Sequence, residues 1–306
     1  MANIKISQLT AAASLTGTET LPIVQSGSTV KTTAQDIANL AAGIGGTNYV
    51  FVAANGTDVE NAAELQAAYN LAQTMSPSAT NRITVIAAPG NYDFGTSQFL
   101  MDAPYIDLVS LDGNRSIIFN HTFDGVSYTN GSIFVLTFDT YVKGVDCGEK
   151  TFSVLGGSNT IIENCKGGQD SFSSNGVFIL SGTFINCEGG NFSFGKVSTA
   201  IIPGTFINCK AGDSSFGNPS LGIGPILSGV FTNCTAGSNS FGLYGNAAGT
   251  FTNCVGGPNS FASLSGILLY SRVTSNSLPD SNTLTASGGV IAGCIEGNTE
   301  FITRRP

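Results

Sequence analysis

The segment that decides the fold reads Gly182-Thr-Phe-Ile-Asn-Cys-Glu-Gly-Gly-Asn-Phe-Ser-Phe194, and the same pattern returns as Gly204-Thr-Phe-Ile-Asn-Cys-Lys-Ala-Gly-Asp-Ser-Ser-Phe216. The cysteines of the chain stand at positions 147, 165, 187, 209, 234, 254 and 294, so that the last interval is twice the one before it. Six cysteines are followed at the seventh position by Phe, and five are directly preceded by Asn. A repeat of roughly 20–25 residues, a length typical of solenoid proteins, therefore runs through the second half of the chain.

A repeat of this length is typical of two architectures. Leucine-rich repeats have a similar period, but no leucine pattern recurs here, and glycine stands where their helix would run. A parallel β-helix stacks one repeat per turn about 4.8 Å above the last, so that equivalent residues form columns. The sequence therefore predicts an all-β chain, a right-handed parallel β-helix (β-solenoid), with regular Asn-Cys-x-Gly-Gly turns over 144–301.

Three columns of structural side chains are predicted. The asparagines are expected to form an amide ladder between neighbouring turns, with ligand binding as the alternative. The cysteines are expected to be free, buried and apolar in behaviour, with an occasional disulfide as the alternative, whereas a metal needs ligands that converge on a point. The phenylalanines form the third column. The predicted members are Asn164, Asn186, Asn208, Asn233 and Asn253, then Cys165, Cys187, Cys209, Cys234 and Cys254, then Phe172, Phe194, Phe216, Phe241 and Phe261.

The direction of the side chains in each turn follows from strand alternation. In a regular strand Phe184 and Asn186 share one face, and Ile185 and Cys187 share the other. We expect Cys and Ile to point inward. The Phe column is also apolar, however, so a bend near Asn is the alternative, and the sequence leaves open which face is interior.

Two further features recur after each cysteine. The Gly-Gly or Ala-Gly pair, as at Gly189-Gly190, is expected to supply the positive φ of a turn. The residues Lys166, Glu188 and Lys210 would place opposite charges on neighbouring turns, in an exposed ladder worth less than about 1 kcal/mol per pair.

The regions on either side of the repeats are less regular. Helical spacing of apolar residues predicts an amphipathic helix over 58–75, which would cover the first turn and protect its strand edges from aggregation. The buried stripe of this helix is expected to contain Ala62, Leu65, Ala68, Leu71, Ala72 and Met75. Strands are expected within 83–92, 105–111 and 116–119. Beyond 271 the pattern breaks, and Thr274 stands where the next Cys would fall.

Residues 1–46 read as a separate attachment or oligomerisation module with a hinge, followed by a β-helix domain over 47–306 whose irregular part is 47–143. Short strands are expected over 3–9, 19–25 and 29–32, the last two as a hairpin. Thr33-Ala-Gln-Asp36 resembles a capping box that opens a helix to about Ala42, and Ile44-Gly-Gly46 reads as the hinge. A segment this small buries little core by itself, so we expect it to oligomerise or to dock on another protein.

Composition excludes several classes of function. The net charge is −8, and the 12 Lys and Arg residues are scattered, which argues against nucleic-acid binding. Apolar runs such as 83–88 are only strand-sized, so no membrane insertion is expected. The N-terminus lacks the basic and apolar regions of a secretion signal. No cofactor and no metal site are predicted.

The sequence contains few candidate catalytic groups. Glycoside hydrolysis needs two carboxyl groups a few ångströms apart, and the best cluster is Asp102, Asp107 and Asp112. Surface and turn positions explain these acids at least as well. The other acids considered are Asp146 with Glu149, and Asp170. Arg115 near Asp112 is a thin basis for a lyase, and the single histidine, His121, has no evident partner.

Two parts of the chain resemble known families. The segment from Ile6 to Leu40, with Thr20-Leu-Pro-Ile-Val-Gln25 and Thr33-Ala-Gln-Asp36 inside it, resembles the N-terminal module of many bacteriophage tail-fibre and other virion proteins. The body, from Asn48 through Ala88-Pro-Gly-Asn-Tyr92 into the Asn-Cys repeats, is similar to pectate-lyase-like β-helices of phage and bacterial surface proteins. Members of these families are commonly homotrimers that display a host-contacting shaft.

The resemblance implies a structural virion protein of the tail-fibre or tailspike type, located in the particle after synthesis in the host cytoplasm. Its implied partners are sister chains in a homotrimer, other virion proteins bound through residues 1–42, and a host surface glycan. Two alternatives remain open. One is the subunit of an extracellular filament of stacked solenoids, and the other is a glycan depolymerase.

Overall fold

The computed structural model describes residues 20–25, 28–33, 48–120, 132–136, 139–148, 151–154, 159–172, 181–195, 201–217, 226–242, 247–261, 263–273, 290–296 and 299–301. The structure is mostly β, and one helix is present among the described residues. The chain divides into two compact units, Met1–Tyr49 and Val50–Pro306.

The first unit contains an antiparallel pair of strands, β1 (Thr20–Gln25) and β2 (Ser28–Thr33). Gln25 lies opposite Ser28, and Thr20 lies opposite Thr33. The predicted hairpin is therefore confirmed. The strand predicted over 3–9, the helix predicted to end near Ala42 and the hinge at 44–46 lie outside the described residues.

The remaining elements follow in chain order. They are β3 (Tyr49–Val52), α1 (Asp58–Thr74), β4 (Ile83–Ala87), β5 (Gly90–Asp93), β6 (Phe99–Met101), β7 (Ile106–Ser110), β8 (Ile117–Asn120), β9 (Ser132–Leu136), β10 (Tyr141–Lys143), β11 (Val145–Asp146), β12 (Thr151–Val154), β13 (Ile161–Glu163), β14 (Thr183–Ile185), β15 (Ile201–Ile202), β16 (Thr205–Ile207), β17 (Ile226–Leu227), β18 (Val230–Thr232), β19 (Thr250–Thr252), β20 (Val255–Gly256), β21 (Ile267–Leu269), β22 (Arg272–Val273), β23 (Val290–Ala292), β24 (Cys294–Glu296) and β25 (Thr299–Phe301). The strands predicted within 83–92, 105–111 and 116–119 are confirmed.

Eleven strands form one parallel sheet whose spatial order follows the order of the chain, β3-β4-β7-β10-β13-β14-β16-β18-β19-β21-β23. Neighbouring strands are in register, so that Phe206 lies beside Phe184 on one side and beside Phe231 on the other. The chain therefore returns to the same sheet once in every repeat.

Four smaller sheets contain the other strands of this region. They are β5-β8-β11, β6-β9-β12, β15-β17 and β20-β22-β24-β25. Their strands are parallel, except that β25 pairs antiparallel with β24 at a sheet edge. Several parallel sheets built from successive parts of the same repeats are consistent with a parallel β-solenoid.

The helix α1 begins with a complete capping box. The Thr57 side chain accepts from the Glu60 amide, and the Glu60 carboxylate accepts from the Thr57 amide at 2.8 Å, which satisfies amides that the first turn leaves free. The helix packs on β5 and β4 through buried residues that include Ala62, Leu65 and Ala72. The predicted helix is confirmed, but Leu71 is exposed because it lies outside this stripe.

The interior is filled by the middle residue of each short strand together with the cysteines. Phe184 is fully buried, whereas Ile185 is half-exposed, so the expectation that Ile points inward is wrong. Asn186 has a φ of 55°, and this left-handed bend interrupts the strand alternation. Cys187 is consequently buried as well. The bend that the sequence offered as an alternative is present, and Phe and Cys share the interior.

The glycines after each cysteine have a different role from the predicted one. Gly190 and Gly212 do not have the positive φ that was predicted for them. A Cβ on Gly190 would lie 2.8 Å from the amide nitrogen of Gln169, and one on Gly212 would lie 2.1 Å from the Asn191 Oδ1. Glycine is required here because the neighbouring repeat passes too close for a side chain.

The strand pairing also corrects the register at both ends of the cysteine column. Asp146 pairs with Lys166, which places Val145, not Cys147, beside Cys165. At the other end Thr252 pairs with Leu269, so Ser271 takes the cysteine position that was assigned to Thr274. The Ser271 hydroxyl accepts from the Cys254 amide at 3.0 Å.

Candidate functional site

Each regular repeat bends at three non-glycine residues that have positive φ. One is the asparagine before Cys, another is the residue five positions after Cys, and the third is the phenylalanine seven positions after Cys. The members are Asn164, Asp170 and Phe172, then Asn186, Phe192 and Phe194, then Asn208, Ser214 and Phe216, then Asn233, Asn239 and Phe241, then Asn253, Asn259 and Phe261. Asn adopts a positive φ at little cost, whereas the same conformation is strained for Phe. Stacking and burial of the ring must therefore hold the Phe backbone there.

The predicted asparagine column forms amide–amide hydrogen bonds along the exterior. The Asn208 Nδ2 donates to the Asn186 Oδ1 at 3.1 Å, and the Asn233 Nδ2 donates to the Asn208 Oδ1 at 3.1 Å. The Asn164 Nδ2 instead donates to the carbonyl of Gly113 at 3.0 Å. Asn186, Asn208, Asn233 and Asn253 are all exposed. Each of these amide–amide hydrogen bonds links two consecutive repeats on the exposed side of the column.

A second polar column lies around the bend that precedes Phe. The Asn191 Oδ1 accepts from the Asp213 amide at 2.8 Å, and the Asp213 Oδ1 accepts from the Ser238 amide at 2.7 Å. These two side chains therefore satisfy backbone amides of the next repeat. At the position that follows in each repeat, the Asn259 Nδ2 donates to the Asn239 Oδ1 at 3.0 Å, which links the side chains of two repeats.

Sequence reasoning missed a column of buried serines. The Ser193 amide donates to the Ser215 hydroxyl at 3.2 Å, and the Ser215 amide donates to the Ser240 hydroxyl at 3.2 Å. All five members are fully buried: Ser171, Ser193, Ser215, Ser240 and Ser260. The signal was present in the sequence, since serine directly precedes each of the five column phenylalanines.

Two phenylalanine columns fill the interior. In the predicted column the rings of Phe194 and Phe216 stack at 4.7 Å with an angle of 6° between their planes. The second column contains Phe184, Phe206, Phe231 and Phe251, and Phe206 meets Phe216 edge to face at 5.7 Å and 86°. Each ring is therefore stacked along its own column and contacted edge-on by the other column, and both geometries are favourable.

The cysteine column is buried and contains no disulfide, because all seven thiols are free. Six of the Sγ atoms donate to a carbonyl of the preceding repeat, as from Cys209 to Phe184 at 3.4 Å and from Cys234 to Phe206 at 3.4 Å. Burial raises the pKa of the Cys165 and Cys209 thiols well above the ordinary value. The thiols therefore act as small apolar side chains that also donate weak hydrogen bonds.

The three acids considered for catalysis are bound by three different sets of partners. Asp107 accepts from the Arg82 Nε at 2.9 Å, pairs with the Arg82 Nη2, and accepts from the Tyr141 amide at 2.7 Å. Asp102 accepts from the Tyr69 hydroxyl at 3.1 Å and from the Gln73 Nε2 at 3.0 Å. These contacts hold β7 to β10 and hold α1 to the segment after β6.

Asp112 closes a turn. It accepts from the Ser110 and Ser116 hydroxyls at 2.6 Å and from the Asn114 amide at 2.9 Å, and these hydrogen bonds lower the pKa of its carboxyl group. A carboxyl group held in its charged form by donors is poorly suited to act as a general acid near neutral pH.

Arg115 lies in the turn of Asp112 but binds elsewhere. Its Nη1 donates to the Glu188 carboxylate at 2.8 Å, and its Nη2 donates to the carbonyl of Asn186 at 2.7 Å. The backbones of Lys166 and Lys210 bridge that of Glu188 on either side, which is the order that the predicted charge ladder requires. The ion pair that the structure describes at Glu188 is with Arg115, at 2.8 Å, and this guanidinium lowers the pKa of the Glu188 carboxyl group most strongly.

The remaining candidates do not form a site. Asp146 accepts from the Gly148 amide at 2.7 Å in a local turn. Asp170 has a positive φ and lies at the bend before Phe172. His121 and Glu149 lie outside the described residues.

An open groove of about 400 Å³ lies between α1 and the link from β5 to β6. The residues that line it include Val59, Ala63, Gln66, Asp93 and Phe94. The Asp93 carboxylate accepts from the Gly95 amide at 2.8 Å, so it serves the turn.

A regular surface is formed by the outer side of six consecutive strands of the large sheet, β14, β16, β18, β19, β21 and β23. We call it the neutral face because its outward residues carry no charge. They are Thr183, Ile185, Thr205, Ile207, Val230, Thr232, Thr250, Thr252, Ile267, Leu269, Val290 and Ala292, and each is exposed or half-exposed. The sequence signal is the recurring pair of positions on either side of the buried strand residue.

The buried rings behind the neutral face are stacked nearly parallel from strand to strand. The planes of Phe184 and Phe206 differ by 7°, and those of Phe206 and Phe231 differ by 6°.

No group of three or more His, Cys, Asp or Glu side chains within the described ranges is placed to hold a metal ion. In the same part of the chain, no helix is long and apolar enough to cross a membrane. No protein-family model, curated protein or solved structure matches this chain.

Proposed function

We propose that this chain is a structural component of a bacteriophage virion, of the tail-fibre or tailspike type. In this proposal residues 47–306 form a right-handed parallel β-helix, and α1 covers its first strands. The parallel order of the eleven-stranded sheet and the packing of α1 on β4 and β5 support this architecture.

The observation that carries the proposal is the continuity of the side-chain columns. Stacked phenylalanines run from Phe172 to Phe261 with ring centroids 4.6–4.9 Å apart, and no pair departs from parallel by more than 13°. Such uninterrupted stacking makes bending costly, because any local bend opens contacts in both Phe columns and breaks the amide ladder. Resistance to bending is the property that a host-contacting shaft requires.

Attachment is assigned to residues 1–42, on the resemblance of Ile6–Leu40 to N-terminal modules of virion proteins. These residues would bind other virion proteins and join sister chains into a homotrimer. The β-helix would then extend from the particle and present its surfaces to a glycan on the host. The virion is accordingly the proposed location of the mature protein.

The filament alternative is less well supported by the described residues. Solenoids that stack end to end need free parallel edges at both ends. β25 pairs antiparallel with β24 through Cys294 and Phe301, which blocks parallel addition at that sheet edge.

The two acids tested for the depolymerase alternative are already bound to other side chains in the part of the chain that the structure describes. Asp107 is 6% exposed and paired with Arg82, and Asp102 is bound to side chains of α1. A depolymerase would lower the viscosity of a polysaccharide solution, and Asp102→Asn or Asp107→Asn would abolish the effect. We expect no change of viscosity with either the natural chain or the variants.

The proposal is tested by the solution mass of the full chain, measured by light scattering after gel filtration. We expect a single species of three chains. A series of ever-larger species would favour the filament, and a monomer at all concentrations would contradict trimeric assembly.

A further inference from the structure

Tyr270 continues the asparagine column of the repeats. Thr252 pairs with Leu269, so the residues that follow them, Asn253 and Tyr270, are neighbours in successive repeats. The Asn253 amide donates to the Leu269 carbonyl, and the Tyr270 amide donates to the Ala292 carbonyl, each at 3.0 Å. The φ of Tyr270 is 48°, close to the 54° of Asn253. A tyrosine therefore stands where the preceding repeats have asparagine.

The conformation of Tyr270 is unfavourable, and burial does not explain it. Asparagine tolerates a positive φ, whereas this conformation is strained for a bulky side chain. The stacked phenylalanines that share it, from Phe172 to Phe261, are fully buried, but Tyr270 is 68% exposed. Backbone strain that the core does not explain is commonly found at binding sites.

The next repeat leaves room for the tyrosine ring. Gly293 occupies the following position of the column with a φ of 62°. A Cβ added to Gly293 would lie 2.8 Å from the Tyr270 Cδ1 and 3.0 Å from its Cε1. The ring thus rests against the backbone of Gly293, where a side chain would displace it. This contact limits the movement of the ring, while most of its surface stays open to solvent.

Exposed amide groups lead along the column toward Tyr270. Asn233 and Asn253 are both exposed. An amide carries two donor hydrogens and an oxygen that can accept two hydrogen bonds, and the Asn233 Nδ2 donates to the Asn208 Oδ1. Further donors and acceptors remain for a ligand. The flanking positions of these repeats are occupied by Thr232, Thr252 and Leu269 before the column and by Thr235, Val255 and Arg272 after it.

This combination fits a glycan chain. A sugar ring has an apolar face of C–H groups that can stack on an aromatic ring, and its hydroxyl groups both donate and accept hydrogen bonds, as amides do. A nucleic acid requires a row of cations, and Arg272 is the charged residue among the flanking positions. A protein interface is centred on several packed anchors, whereas one ring and a row of amides stand here.

We propose that Tyr270 is a stacking platform for one sugar ring of a bacterial surface polysaccharide, whose chain continues along the amides of Asn253 and Asn233. The inference rests on the proposed function, in which the β-helix contacts a host glycan, and it assigns that contact to a site. Asparagine at position 270 would continue the amide ladder without strain. Binding of a sugar ring gives the reason for tyrosine at this position.

The test measures binding of the full chain to a panel of purified bacterial capsular polysaccharides by surface plasmon resonance. Tyr270→Asn restores the residue of the other repeats, so we expect it to be at least as stable as the natural chain in urea unfolding. The same variant should bind about tenfold more weakly, because it lacks the stacking ring. Asn253→Gly keeps the positive φ and removes one amide, and its affinity should fall by about fivefold.

The matched control is Phe51→Asn, which removes an exposed ring from β3 and should bind as the natural chain does. Equal binding by the natural chain and Tyr270→Asn would overturn the proposal, and so would a lack of binding to every polysaccharide of the panel. Binding that is lost when the polysaccharide is digested with a protease would assign the site to a protein partner instead. Should Tyr270→Asn fail to fold, an unchanged affinity of Asn253→Gly would overturn the proposal in its place.

The solution mass separates this site from the proposed function. A trimer that binds no polysaccharide would contradict the site and leave the assembly of the virion protein unaffected. A monomer that binds through Tyr270 would contradict trimeric assembly and leave the site in place.

Discussion

The ring of Phe206 lies 4.8 Å from that of Phe231, and their planes differ by 6°, although a full repeat of the chain separates them. Phe184 and Phe206 are separated by a repeat that is shorter by three positions, and they stack at 4.9 Å and 7°. The longer repeat therefore leaves the spacing of the core unchanged. Strand pairing and ring stacking set the geometry of the interior, and differences in repeat length are taken up in the links between strands.

Removing one ring from this stack should be costly. Phe231 is fully buried and is stacked between Phe206 and Phe251. We expect Phe231→Ala to lower the free energy of unfolding by about 3–5 kcal/mol, because it opens a cavity and ends two stacked contacts. Urea unfolding followed by circular dichroism measures the effect. The control is Phe51→Ala, at a ring that is 63% exposed, and equal losses for both variants would contradict the role of the stack.

Two substitutions separate what the amide ladder and the left-handed bend at Asn208 each contribute to the free energy of unfolding. Asn208→Gly keeps the positive φ of 54° and removes both amide–amide bonds, so we expect a loss of about 1–2 kcal/mol. Asn208→Ala removes the same bonds and also strains the backbone, which should add about 1 kcal/mol. If alanine were no worse than glycine in urea unfolding, the bend would not require a residue that tolerates positive φ.

Most of the repeat architecture could be predicted from the sequence, because stacking forces equivalent residues to recur. The Asn, Cys and Phe columns were visible for this reason. The inward direction of Phe184 was not, since strand alternation alone cannot reveal a left-handed bend at Asn186. The position of Cys147 relative to Cys165 could not be predicted either, because it depends on the register in which β10 pairs with β13. Arg115 reaches Glu188 across 73 residues, a distance over which no local pattern carries information.

The close approach of neighbouring repeats makes one glycine column intolerant of side chains. A Cβ on Gly212 would lie 2.1 Å from the Asn191 Oδ1 and 2.8 Å from the backbone nitrogen of Asn191. We expect Gly212→Ala to destabilise the protein by about 1–3 kcal/mol. The Asn191 side chain must move away from the added methyl group, and its Oδ1 then loses the hydrogen bond that it accepts from the backbone amide of Asp213. Thermal unfolding of this variant is compared with Ala211→Gly, at the adjacent position. A Gly212→Ala protein as stable as the natural chain would show that the repeats can separate at little cost.

The thiols should be unreactive in the folded protein. All seven cysteines are free and buried, so a reagent in solution cannot reach their sulfur atoms while the protein stays folded. We expect no rapid reaction with a chromogenic disulfide reagent at pH 8, and reaction of all seven thiols after unfolding in guanidinium. A rapidly reacting thiol in the native protein would show that part of the column is open to solvent.

The ion pair between Arg115 and Glu188 should make stability depend on pH in the acid range. The hydrogen bond from Arg115 lowers the pKa of Glu188 from its ordinary value of 4.5. A carboxyl group whose pKa is lower in the folded state stabilises the protein above its unfolded pKa, and this contribution is lost as pH falls through the folded pKa. The Glu188 side chain is 44% exposed, so the effect should stay below about 1 kcal/mol.

Arg115→Met removes the pair and lets the pKa of Glu188 return toward its ordinary value. We expect the variant to be less stable than the natural chain at pH 7, and the difference to shrink as pH falls below about 4. A remainder should persist at low pH, because the bond from Arg115 to the Asn186 carbonyl does not titrate. Urea unfolding at pH 7 and pH 3 is measured for Arg115→Met, for Glu188→Gln and for the variant that carries both, which completes a double-mutant cycle. A stability difference that is the same at pH 7 and pH 3 would show that Arg115 acts only through the carbonyl.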